Sequence, residues 1–157
     1  MKRNVAAITF AMLLVAGTGS LLAQNAALGT WKLSVAKSKY NPGPAPKSLT
    51  RTVEAQGEKI KYTFEGVAAD GSPLSYSFTV AFDGKDYPIT GSTPSGADFI
   101  SATKSADGSY EATFKKGSEA LLISRVTISA DGKVTTINQT SPSGKGSVKN
   151  LLVFEKQ

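Results

Sequence analysis

The chain reads as an all-β protein, an antiparallel up-and-down β-barrel of about ten strands. Three observations carry that reading. Short runs of alternating apolar and polar residues follow one another, with no sustained helical periodicity. Turn signals separate the runs, above all the four pairs Asp70-Gly71, Asp83-Gly84, Asp107-Gly108 and Asp131-Gly132. Every link but one is of hairpin length, so strands adjacent in sequence are expected to be adjacent in space.

In chain order the predicted strands are roughly 28–35, 48–55, 59–66, 73–82, 85–90, 97–104, 109–116, 119–129, 133–141 and 147–155. The first contains Gly29-Thr30-Trp31-Lys32-Leu33. In the second, Arg51 alternates with Leu49 and Val53, a phase that would turn it inward. A buried Arg needs a partner, and the acid group of a ligand is one candidate. The third puts Ile60, Tyr62 and Phe64 on one face. The fourth puts Leu74, Tyr76, Phe78, Val80 and Phe82 opposite Ser75, Ser77, Thr79 and Ala81. In the seventh, Tyr110, Ala112 and Phe114 alternate with Glu111, Thr113 and Lys115.

The later strands are less regular. Leu121-Leu122-Ile123 and Leu151-Leu152-Val153-Phe154 are apolar on both faces. With Ile137 between them, Leu121, Ile123, Leu151 and Val153 would form an outward stripe. Either the N-terminal stretch or a second subunit covers it, or both faces are buried at a closed end. Asn138 would point inward if Val134 does.

A ten-strand meander has two exposed edges, and closing it into a barrel removes both. A two-sheet sandwich would need crossovers, and only one long link is present. That link, Ala36 to Lys47, carries Pro42, Pro44 and Pro46, so it is stiff and extended. It is either a lid over one barrel end or a plain surface loop.

Composition narrows the chemistry. The 157 residues include no cysteine and no histidine. That removes disulfides, a lipoprotein anchor, Ser-His-Asp and Cys-His nucleophiles, and the usual zinc and copper ligand sets. Of the twelve carboxylates, four open Asp-Gly turns and the others show no glycosidase spacing. No catalytic residue, metal or cofactor is expected. Gly91 to Gly96 and Ser141 to Ser147 are glycine-containing loops without the Lys-Ser/Thr ending of a phosphate loop. The basic residues are scattered and do not interleave with exposed aromatics, so nucleic acid is not an expected partner.

Lys2 and Arg3 precede an apolar run from Val5 to Val15, which is then loosened by Gly17, Gly19 and Ser20. This has the pattern of a signal peptide, residues 1–23 with cleavage after Ala23, and it is too short and Gly-broken for a membrane span. Residues 24–157 would then be the barrel domain, periplasmic or secreted from a bacterium, with no integral membrane association after cleavage. Losing Lys2 and Arg3 takes two charges from the formal +6. A mild positive balance speaks first for solubility.

The opening G-T-W-K-L, residues 29–33, resembles the G-x-W signature of the calycin superfamily, the lipocalins and fatty-acid-binding proteins. The closing L-L-V-F-E-K, residues 151–156, is similar to the final strand of the latter. The whole also resembles small secreted bacterial lipocalin-like proteins. The resemblance implies a lipocalin-like barrel in which Trp31 plugs the closed end beneath a stacked basic residue, with Arg51, Arg125 and Lys149 as candidates. Two departures stand out. The proline-rich link replaces the helix pair of the fatty-acid-binding proteins. Leu152 and Phe154 replace the Arg-x-Tyr pair that grips a ligand carboxylate there.

The candidate ligand-binding residues are therefore Trp31, Tyr62, Phe64, Tyr76, Phe78, Phe82, Tyr110, Phe114 and Phe154, with Arg51. They suit a small apolar or amphiphilic ligand held without covalent chemistry. The alternative is an envelope interaction or inhibitor-type protein acting through its loops and the outer stripe. A monomer or a weak homodimer is expected.

Overall fold

The computed structural model describes residues 26–157, so the expected signal peptide lies outside the described residues. Ten strands form: β1 Gly29–Leu33, β2 Ser48–Gln56, β3 Lys59–Val67, β4 Pro73–Val80, β5 Tyr87–Gly91, β6 Phe99–Lys104, β7 Tyr110–Lys116, β8 Glu119–Ile128, β9 Val134–Thr140 and β10 Lys149–Lys156. Each pairs antiparallel with its neighbours in sequence, and β1 pairs with β10, so the barrel closes. The predicted meander and its strand limits match to within two residues.

Alternation sets the inward face. Trp31 and Leu33, Leu49 and Val53, Ile60, Tyr62 and Phe64, Phe78 and Val80, Ala112 and Phe114, and Leu152 and Phe154 are all buried in one core. The hydroxyl-rich residues between them face out. Each of the four Asp-Gly turns uses the same device. Asp70, Asp83, Asp107 and Asp131 accept a hydrogen bond from the backbone N–H two residues on, at 2.8, 3.1, 3.0 and 3.1 Å. The intervening glycines sit at φ between 67° and 93°, which a β-carbon would oppose. Donated hydrogen bonds hold these carboxyls below their ordinary value: the Ser72, Ser109 and Ser129 hydroxyls lead at Asp70, Asp107 and Asp131, the Lys85 N–H at Asp83.

The closing seam is short: Trp31, Lys32 and Leu33 face Lys156, Glu155 and Phe154. The proline-rich link extends it. After one 3₁₀ turn, Val35–Lys37, the chain returns to β10. Lys39 and Leu151 exchange backbone hydrogen bonds at 2.7 and 2.8 Å, and Lys149 N–H donates to the Asn41 carbonyl at 2.7 Å. Pro42 to Pro46 then cross the barrel end as a strap, and Lys47 N–H rejoins β3 at the Val67 carbonyl.

Three expectations are corrected. Ile137 is buried and faces the interior, which breaks the proposed outward stripe; Leu121, Ile123, Leu151 and Val153 are only half-buried. β9 reads Val-Thr-Thr-Ile-Asn-Gln-Thr, and its inward set is Thr135, Ile137 and Gln139, so Asn138 is exposed. The basic group on Trp31 is none of the three candidates but Lys156, whose Nζ lies 5.2 Å from the ring centroid. Arg125 is outside, paired with Asp107 at 2.8 Å.

Two predictions follow from this packing. Gly66, opposite Leu49 in the β2–β3 ladder, has no room for a β-carbon, which would strike the Ser48 carbonyl oxygen. Because its φ is not positive, Gly66→Ala tests that collision alone. It should destabilise by about 1–3 kcal/mol, read as a lowered midpoint in urea. The depressed turn carboxylates stabilise the folded state above their unfolded values, and that contribution is lost as pH falls through the folded values. Thermal midpoints should hold at neutral pH and fall steadily below about pH 4, followed by circular dichroism.

Candidate functional site

The aromatic residues of β3, β4 and β7 meet inside the barrel as alternation requires. Phe64 stacks on Tyr76 with centroids 4.7 Å apart, and Tyr62 lies 5.2 Å from Phe78. Phe114 meets Phe78 edge-on at 6.0 Å. Such pairs add about 0.5–1.5 kcal/mol each beyond their burial. Among the described residues, two cavities lie inside the barrel between and above these rings.

The upper cavity, about 320 Å³, lies beneath the strap. Tyr40, Pro42, Pro44 and Pro46 roof it, with Ala68–Ala69 and Thr93–Ser95 from two neighbouring loops at its rim. The lower cavity, about 50 Å³, lies deeper, between Arg51, Tyr62, Tyr110, Phe78 and Ile100. Tyr76, Phe114, Gln139 and Leu152 line both and form a throat between them.

Arg51 is the one charged residue lining either cavity, and it is 1% exposed. Its Nη2 donates to the Tyr110 hydroxyl at 2.7 Å, and its guanidinium carbon lies 5.0 Å from the Tyr62 ring centroid. Nε and Nη1 have no hydrogen-bond partner among the described residues. All twelve side-chain carboxylates lie between Glu54 and Glu155, and none lines either of these two cavities. The guanidinium therefore carries a buried charge with no counter-charge from its own chain.

Burial keeps the phenols of Tyr62 and Tyr76 neutral. Burial, then the neighbouring Tyr110, pushes the Tyr62 hydroxyl well above its ordinary value, with Arg51 opposing. Burial also raises Tyr76, and it pushes Tyr40 up to about 12. The Tyr40 hydroxyl is buried without a partner among the described residues. The polar part of the throat is a short chain: Gln139 donates to Ser124 at 3.3 Å and accepts from Asn150 at 3.2 Å.

Of the sequence candidates, Arg51, Tyr62, Phe64, Tyr76, Phe78, Tyr110 and Phe114 line a cavity. Trp31, Phe82 and Phe154 do not. Trp31 is fully buried at the opposite end, its Nε1 donating to the Ala27 carbonyl at 2.9 Å. Phe154 is fully buried and meets Phe64 edge-on at 6.5 Å. Phe82 lies beyond the end of β4 and packs against Tyr110 at 5.1 Å, under Lys104. Sequence reasoning missed Tyr40, Leu122 and Gln139. A lone aromatic within the proline-rich link was the available signal for Tyr40; Gln139 shares the phase of Ile137, which the alternation of β9 left undecided.

Among the described residues, no group of three or more carboxylates is placed to hold a metal ion. No protein-family model and no curated protein matches the chain. Solved structures do. A zebrafish ileal bile acid-binding protein, complexed with cholic acid, aligns with 84% of this chain and 99% of its own at 16% identity, with a TM-score of 0.54. The redesigned β-barrel mFAP1, bound to DFHBI, aligns with 85% of this chain and 98% of its own at 12% identity, with a TM-score of 0.47. Closed by β1 and β10, with Trp31 sealing one end and a strap across the other, the chain has the fold of the calycin barrels.

Proposed function

We propose that the protein is an exported, non-enzymatic carrier that holds a small hydrophobic or amphiphilic molecule inside its barrel. The observation that carries the reading is the pair of stacked cavities joined by a shared throat. The upper one falls in the lower part of the roughly 300–1,000 Å³ range of small-molecule sites. Its walls are mostly apolar, with few polar groups, which suits orientation without reaction. The cholic acid in the bile acid-binding barrel supports the same use of this fold. Export is supported by Lys2 and Arg3 ahead of the apolar run to Val15.

The uncharged dye N-phenyl-1-naphthylamine tests the carrier reading. Titrated into the purified protein, its emission should rise and shift to the blue with a Kd of about 1–10 μM, a free energy of about −7 to −8 kcal/mol. Leu122→Trp, which fills the upper cavity, should weaken that binding at least tenfold while the far-ultraviolet spectrum stays that of a barrel. A folded protein that leaves the dye unchanged would sink the proposal. Expressed with its leader in a bacterium, the mature chain should be recovered from the periplasm or medium beginning at Gln24; full-length chain retained in the cytoplasm would defeat export.

A further inference from the structure

Resting on the carrier reading, we infer that the lower cavity is an anion site. It would receive the single acid group of an organic amphiphile on Arg51, with the ligand's apolar part lying through the throat beneath the strap. The inference starts from what Arg51 lacks. Arginine is charged at every physiological pH, so burial cannot be relieved by losing a proton. Buried charges in proteins are ordinarily paired, because removing an ion from water without a partner is among the largest penalties a fold can carry. Here the guanidinium is 1% exposed, two of its nitrogens have no partner among the described residues, and no carboxylate lines either cavity. The Tyr110 hydroxyl and the face of the Tyr62 ring are its polar and aromatic contacts.

The surroundings select the class of ligand. One uncompensated positive charge matches a single negative one; a dianion would leave the same imbalance with the opposite sign. The phenols of Tyr62 and Tyr110 flank the guanidinium, and burial keeps Tyr62 protonated. Phe64, Phe78 and Ile100 complete the lower walls, and Tyr76, Phe114 and Leu152 the throat. A compact charged head therefore fits only at the bottom and an apolar body only above it. This is not the carboxylate grip that the family resemblance would place on the last strand. Those positions hold Leu152 and Phe154, both buried and apolar. The receptor proposed here stands on β2 and β7 instead.

The test compares dodecanoate with 1-dodecanol at pH 8, each displacing N-phenyl-1-naphthylamine from the wild-type protein. The acid should displace the dye at a concentration at least tenfold below that of the alcohol. That ratio should survive 0.5 M salt, because a buried contact is poorly screened, whereas attraction to Lys39, Lys47 and Lys149 around the mouth would vanish. In Arg51→Met the ratio should fall to about one. This variant removes an unpaired buried charge, so its thermal midpoint without ligand should equal or exceed that of the wild type.

Dye binding with no preference for the acid overturns the anion site and leaves the carrier standing. A preference that persists in Arg51→Met, or disappears with salt, also overturns it. Absence of dye binding removes both readings. Should Arg51→Met fail to fold, Tyr110→Phe decides: a severalfold loss of acid preference supports the site, and an unchanged preference defeats it.

Discussion

Closure of the sheet between β1 and β10 is the constraint on which everything else depends. Left open, the meander would expose unpaired N–H and C=O groups along both outer strands and would bury no common interior. The seam that prevents this is only three residue pairs long, Trp31–Leu33 against Phe154–Lys156. Its strength comes from what surrounds it. Trp31 and Phe154 are fully buried beside it, Lys156 lies over the indole, and the chain after β1 continues along β10 as far as Asn41. The link is thus a second part of the closure before it becomes a cover. Its first half completes the ladder, and its second half, whose prolines have no N–H to offer a ladder, is free to span the opening.

The interior then faces two demands. A barrel of this width collapses or frays unless side chains fill it, and Tyr62, Phe64, Phe78 and Phe114 do so by stacking and edge contacts. Filling is incomplete beneath the strap, and again around Arg51, where a long polar side chain stands among apolar ones. That the chain places a guanidinium there is the departure from a purely structural core.

Much of this was legible in the residues. The Asp-Gly turns and the strict alternation of β3, β4 and β7 fixed strand number, order and inward face, because both signals are local. Arg51 was legible in direction, through its place between Leu49 and Val53, but not in company: Tyr110 is 59 residues away, on a strand that meets it only across the closed interior. The same holds for Trp31, whose basic neighbour comes from the far end of the chain through the register of the seam. The phase of β9 failed for a different reason. With Thr, Asn and Gln on both faces, its sequence does not distinguish the two, and packing against Val126 and Leu152 chooses. Division of the interior into two cavities depends on rotamers, on which alternation is silent.

The seam has a practical corollary. Ala27 accepts from the Trp31 indole, the Lys156 ammonium donates to the Ala26 carbonyl at 3.1 Å, and Gln157 N–H donates to Thr30 at 3.0 Å. Ala26 and Gln157 therefore lie together at the pole opposite Pro42–Pro46. A fusion partner, affinity tag or sensor surface joined through Gln157 leaves that far opening unobstructed, so the molecule can be tethered by its base with the strap end facing solvent.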